Sequence, residues 1–222
     1  MEDSTFTSKD VIALSTDMVF VKAESKKDTV TRDQYEIAGF PTVILMKSSG
    51  EEIDRIYGYL PAGEFVSTIQ SYLQGKETLE DIENRFQKDT TDVELAFKLA
   101  EKNEGRRKYD EAVWYYQKVV DLDPENKKEK SQDALFNVAW LKLRMKDYEK
   151  AVDGFKSFLE KFPKSEMAED AERYIPYTYA QAGDTGKALE LYQKFLMDHP
   201  NSQDTTWVRE KIKDLKSEGS TD

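Results

Sequence analysis

The chain has 222 residues, room for two small domains, and its 38% hydrophobic, 12% aromatic and 35% charged composition is that of a globular protein with a large surface. Its net charge of -11 is shared by both halves, so neither is a basic platform for phosphates, which argues against nucleic acid and anionic membrane as partners. With no cysteine and the single His199, disulfides, thiolate chemistry and zinc sites built on sulfur are excluded, and no metal or other cofactor is expected.

In chain order, residues 18–24 (Met-Val-Phe-Val-Lys-Ala-Glu) read as an apolar strand and a short helix is predicted around Arg32 to Ile37. Residues 42–47 (Thr-Val-Ile-Leu-Met-Lys) read as a second strand. Ser48-Ser49-Gly50 then turns it into Glu52 to Tyr57, which alternates apolar and charged side chains. A helix follows over about 61–74, with Phe65, Ile69, Tyr72 and Leu73 on one face.

That order, with Tyr35-x-Ile37-x-Gly39-Phe40-Pro41-Thr42 ahead of a strand and Gly58-Tyr59 behind the hairpin, resembles the C-terminal portion of a thioredoxin domain over residues 1–76. The resemblance implies a mixed sheet with helices, a cis proline at Pro41, and a peptide-binding loop in which the backbone of Phe40 pairs with a substrate chain. It also implies a Cys-x-x-Cys ahead of the first strand, which this sequence lacks. The reading that follows is that Met1 is an internal methionine of a longer thioredoxin-like protein. If Met1 is instead the true start, residues 18–24 and 42–47 must pair directly, or a second chain must supply the strand that separates them in the family, giving a strand-sharing dimer.

Residues 77–91 carry Leu79, Ile82 and Phe86 at helical spacing and are predicted to be a helical linker. Beyond them lies a repeat. Tyr109-Asp110-Glu111-Ala112, Tyr148-Glu149-Lys150-Ala151 and Thr185-Gly186-Lys187-Ala188 each open an apolar stripe at offsets 0, 1, 4, 7 and 8 from the alanine, as in Ala151, Val152, Phe155, Phe158 and Leu159. Each stripe stops at a proline twelve residues past its alanine, at Pro124, Pro163 and Pro200. A partner helix precedes each alanine, over 92–104, 131–145 and 167–182. Pro176 falls inside the last of these, where a kink is expected near Tyr174 to Tyr177. Residues 204–216 read as a capping helix with Trp207, Val208, Ile212 and Leu215 on one face.

This unit, with a small residue opening its second helix and a proline ending it, resembles the tetratricopeptide repeat over residues 92–203. The expected organisation is therefore α/β plus all-α: a partial thioredoxin-like domain (1–76), a linker (77–91) and an α-solenoid over 92–217, made of hairpins 92–124, 131–163 and 167–200 with a cap at 204–216. In such repeats, first-helix side chains line a concave groove. Fifteen residues before the alanines lie Phe97, Phe136 and Arg173; eleven before lie Glu101, Trp140 and Tyr177. The groove is thus expected to consist of Phe97, Phe136, Trp140 and Tyr177, rimmed by Arg144 and Arg173, and to hold a protein or peptide with apolar anchors. For Phe136 and Trp140, burial between repeats is the competing reading. His199 is expected to cap a helix C-terminus.

The functional expectation is a protein-interaction scaffold with a redox-inactive thioredoxin-like fragment. The alternative is a fragment of a thiol-disulfide oxidoreductase whose Cys-x-x-Cys lies upstream of Met1. No run reaches the roughly 18 apolar residues of a membrane span, and Met1-Glu2-Asp3-Ser4 is unlike a signal peptide, so a soluble chain without membrane insertion is expected. "Lys-Phe-Pro-Lys-Ser" and "Asp-His-Pro-Asn-Ser" resemble repeats of bacterial envelope scaffold proteins, which implies the periplasm; a cytoplasmic location stays open.

Overall fold

A computed structural model of the chain describes residues 1, 3–24 and 27–218, which divide into two units, Met1–Leu122 and Asp123–Asp222. The first unit starts with α1 (Lys9–Ala13), a 3₁₀ turn (Leu14–Thr16) and α2 (Thr29–Gln34). Helix α2 begins earlier than the sequence suggests because Asp28 caps it, accepting the Thr31 N–H at 2.9 Å, and it ends before Glu36, whose φ is 50°. Strands β1 (Thr42–Met46) and β2 (Glu52–Tyr57) form an antiparallel hairpin in which Thr42 faces Tyr57 and Val43 faces Ile56, with an irregularity between Leu45 and Met46. Helix α3 (Ala62–Leu73) buries Phe65, Ile69 and Tyr72 with Val11 and Ile56, and partly buried Val43, Leu45 and Met18 pack against this core.

The strand expected at 18–24 is not formed. Residues 19–24 are extended but make no ladder, and the sheet of the described residues has two strands, β1 and β2. A strand requires a partner for its N–H and C=O groups, and apolar composition alone does not supply one.

Helices α4 (Leu79–Lys88), α5 (Val93–Glu104) and α6 (Tyr109–Leu122) complete the first unit. The linker stripe is inward-facing, with Ile82 and Phe86 buried. Asp54 of β2 joins these helices to the sheet. Its side chain is wholly buried and accepts the Leu79 N–H (2.6 Å), the Arg55 N–H (2.7 Å), Lys102 Nζ (2.7 Å) and a short bond from Arg106 Nη2. Arg55 spans from Glu52 to the carbonyls of Tyr35 (2.9 Å) and Gly105 (3.4 Å).

The second unit holds α7 (Ser131–Arg144), α8 (Tyr148–Lys161), α9 (Ala168–Gln181), α10 (Thr185–Asp198) and α11 (Thr205–Glu218). The segment before α7 is ordered by its own side chains: Asp123 accepts the N–H groups of Lys127 and Lys128, and Asn126 Oδ1 accepts those of Ser131 and Gln132. Helix α9 continues through Pro176, which is buried.

The sequence repeat is also a backbone repeat. Arg107, Lys146 and Gly183 each stand five residues before an alanine and adopt φ of 57°, 62° and 85°. Around them Lys108, Asp147 and Asp184 donate to Asn103, Lys142 and Tyr179, and Arg107, Lys146 and Gly183 donate to Glu104, Leu143 and Ala180. This pair of bonds ends each first helix in a left-handed residue and directs the chain back into the second. The second helices end at Leu122, Lys161 and Asp198, two residues ahead of the three prolines. Gly154 brings α7 and α8 together, because a Cβ there would lie 2.8 Å from the Cβ of Ala139.

Two predictions follow from these contacts. Burial opposes the ionisation of Asp54 most strongly, but the charges and hydrogen bonds of Lys102 and Arg106 outweigh it and hold the carboxyl below the usual carboxylate range. Burial is also the largest influence on Lys102 and moves it below its ordinary value. Asp54 and Glu52 face Lys102, Arg106 and Arg55, an excess of positive charge that depresses both ionisations. Asp54→Asn should destabilise the first unit by about 3–5 kcal/mol at neutral pH, the scale for removing one partner of a buried pair. Because the folded pKa is the lower one, this stabilisation is complete above the unfolded-state pKa of about 3.9 and is lost as pH falls through the folded value. Hydrogen exchange of the α5 amides should therefore show a gap between wild type and variant that closes in acid; a pH-independent gap would contradict the ionic account. In the second unit, Gly154→Val should cost about 1–3 kcal/mol in urea unfolding despite the better helix propensity of valine, through overpacking against Ala139.

Candidate functional site

Two surfaces, one in each unit, contain the residues singled out from the sequence. In the first unit the Phe40–Pro41 peptide is cis. Thr42 Oγ1 donates to Gly39 O at 2.7 Å and the Gly58 N–H donates to Pro41 O at 2.9 Å, so the loop is pinned to the hairpin on both sides of the proline. Tyr57 lies beneath it: a Cβ on Gly39 would meet Tyr57 Oη at 2.8 Å, and one on Gly105 would meet Tyr57 Cβ at 3.0 Å. A glycine is needed at both places to admit the ring. Phe40 itself is 64% exposed, with Tyr59 and Tyr57 also exposed. The loop thus presents an aromatic side chain beside a strand end, on a base fixed by packing.

In the second unit the expected groove aromatics form a seam. Phe136 meets Phe155, Phe158 and Tyr174 edge-on at 5.5, 5.4 and 6.0 Å. Trp140 lies 5.1 Å from Tyr174, which stacks on Phe155 at 5.5 Å, and Tyr177 lies 6.2 Å from Tyr174 and 6.0 Å from Trp207. Phe136, Trp140 and Tyr177 all pack against the buried cluster of Ala139, Phe155 and Phe158 and stay half-buried. They are therefore both part of the packing between hairpins and partly open to solvent.

Two expectations need correction. Phe97 does not line a groove: it is 7% exposed and packs edge-on against Tyr116 at 5.6 Å inside the first hairpin, because α6 covers that face of α5. Arg173 is not an open rim cation. Its guanidinium lies 4.7 Å over the Tyr174 ring and 4.9 Å over the Trp207 ring, 2.6 Å from Asp170 and 2.8 Å from Asp204. The Asp204 contact reaches Nε as an ion pair without hydrogen-bond alignment. Burial alone would lower the pKa of Arg173; the hydrogen bond to Asp170 and the charge of Asp204 raise it instead. Its charge is neutralised within the fold, leaving it to clamp α9 to the start of α11. Arg144 is half-buried near the end of α7 and makes contacts of its own.

His199 is the C-cap residue of α10, and its ring reaches back to α9, with Nε2 2.5 Å from Glu172 and Nδ1 3.6 Å from Glu169. Among the described residues no group of three or more His, Asp or Glu side chains is arranged to hold a metal ion, and no described helix is long and apolar enough to cross a membrane. Composition and spacing missed the buried Asp54 cluster. The available signal was a charged pair, Asp54-Arg55, in the middle of a strand, with Lys102 and Arg106 one helical turn apart downstream.

Residues 2–73 match the thioredoxin-like domain family, and residues 128–209 match the family described as YfiO, outer membrane lipoprotein. No curated protein matches the chain. Among solved structures, one described as a crystal structure of MamA is similar at 17% identity, covering 72% of this chain and 91% of that chain with a TM-score of 0.48. Another, described as a crystal structure of MamA protein, is similar at 19% identity over 68% of this chain and 81% of that chain, again with a TM-score of 0.48. From its family matches and its repeated hairpins, the chain carries a thioredoxin-like domain at its N-terminus and a tetratricopeptide-like helical region after it.

Proposed function

We propose that the chain is a protein-interaction scaffold whose helical hairpins hold a protein or peptide partner, with a thioredoxin-like domain that binds without redox chemistry. The observation that carries this reading is the half-exposed aromatic seam of Phe136, Trp140 and Tyr177, placed on the first helices of two hairpins whose backbones repeat. Aromatic side chains anchored from behind lose little entropy on binding and dominate hot spots. The acidic surface disfavours nucleic acid, and insertion into a membrane is not part of the reading. Without a thiol, this sequence cannot itself exchange disulfides. The thioredoxin-like part is assigned to 1–76, the linker to 77–91 and the repeats to 92–217. Phe40 and Pro41 are the proposed peptide contacts of the first part, and Arg144 the remaining rim cation of the second. A bacterial envelope location is supported by the printed description of the family matching 128–209.

A second reading is that the sequence is part of a thiol-disulfide oxidoreductase with Cys-x-x-Cys upstream. The match over residues 2–73 and the exposure of Phe40 beside Pro41 favour it. A second copy of the chain, sharing the two-stranded sheet, is proposed as a further partner.

Affinity capture with the intact chain and with Trp140→Ala, Tyr177→Ala tests the scaffold. The variant should lose its partner by about 30-fold or more in affinity, the scale of a hot-spot pair, while circular dichroism confirms its helices. An unchanged partner set would remove the seam as the binding surface. Insulin reduction by the gene product extended upstream, absent from the present chain, would select the oxidoreductase reading.

A further inference from the structure

The least satisfied backbone in the first unit lies in two places. Residues 19–23 leave the core just after Met18, which packs in it and donates its N–H to Leu14 O. From there Val19 and Val21 are 90% and 87% exposed and Phe20 is 46% exposed, a run of large apolar groups of the kind soluble monomers seldom display. The second place is the outer edge of β1. The Gly58 to Pro41 bond and the register set the phase of the ladder, so that Val43 and Leu45 exchange bonds with β2 while Thr42 and Ile44 direct their N–H and C=O groups to the opposite edge. No third strand lies there among the described residues.

We infer that a second copy of this chain fills that edge by reciprocal exchange, with residues 19–23 of each copy running along the outer edge of β1 in the other. The inference rests on the shared-sheet reading above and names the segment and the edge that form it. The two parts match in length, five residues each, and in character, since β1 is Thr-Val-Ile-Leu-Met and the segment is Val-Phe-Val-Lys-Ala with Lys22 its one charged residue. The local contact therefore escapes the repulsion that a net charge of -11 per chain imposes elsewhere. A foreign strand would cover the edge and leave the segment exposed. A second copy covers both, twice, through one twofold axis, which makes the surface self-complementary.

Sedimentation equilibrium of the full chain tests this. The wild type is expected to dimerise, more tightly as salt screens its net charge. Val21→Lys and Ile44→Pro should each weaken the dimer at least tenfold. An equimolar mixture of the two variants should recover association, because a heterodimer keeps one intact segment against one intact edge. Val21 is solvent-exposed, so its substitution leaves the monomer folded. Hydrogen exchange at the Ile44 N–H then reads the edge directly, slow in wild type and fast in Val21→Lys, even should Ile44→Pro disturb β1. A monomeric wild type at all concentrations would end both the shared sheet and the exchange. A dimer indifferent to both variants, or one lost in each and not recovered in the mixture, would overturn the exchange while leaving a dimer to be explained by another surface.

Discussion

The first unit depends on one buried carboxylate. Asp54 has no access to water, and an ion in that position survives only if every lone pair is answered. Its answers come from three directions: the Leu79 N–H at the start of α4, Lys102 and Arg106 one turn apart on α5, and its own neighbour's N–H on β2. Because a bond to a charged acceptor is strict about distance, the carboxylate fixes both where α4 begins and which face of α5 meets the sheet. Tyr72 completes the site, accepting from Lys102 at 3.0 Å and donating to Arg55 O at 3.3 Å, and burial with the nearby Asp54 charge pushes its ionisation up, so it stays a phenol.

This explains why α5 and α6 group with the sheet, although their sequence pattern allies them with the later hairpins. The repeat pattern records what each hairpin needs internally: an alanine where two helices touch, a stripe, a left-handed turn. It says nothing of what a hairpin packs against next. Lys102 and Arg106 supply that information for the first hairpin, and the corresponding positions of the second hairpin, Leu141 and Met145, are apolar. Each hairpin is thus specified twice, once by a shared rule that closes it and once by private residues that place it.

That distinction also separates what was legible from what was not. Helix boundaries were readable to within a few residues, because prolines and the alanine-led stripes act locally. The β1–β2 hairpin was readable for the same reason, through Ser48-Ser49-Gly50 and the alternation after it. Residues 19–24 were misread because strand formation is a property of a pair, and Met-Val-Phe-Val carries no record of whether its pair is present. Phe97 and Arg173 were misread because spacing places a residue on a helix face without telling which neighbour covers it. At Phe97 that neighbour is Tyr116; at Arg173 it is Trp207 and Asp204, contributed by α11 from some thirty residues downstream.

The position of Arg173 bears on how the second unit can bind anything. A free guanidinium at a groove rim would favour an acidic ligand, yet here Asp170 and Asp204 already hold the charge and two aromatic rings hold the plane. Releasing it would strand two carboxylates and uncover Trp207, a penalty on the order of several kcal/mol that a single ligand carboxylate does not repay. Recognition in this unit must therefore use the outer edges of rings whose inner edges are already packed. Such rings offer apolar area at fixed positions and little hydrogen bonding, which suits a partner that brings its own apolar anchors in a matching geometry, as an amphipathic helix does, better than one that relies on a charged terminus.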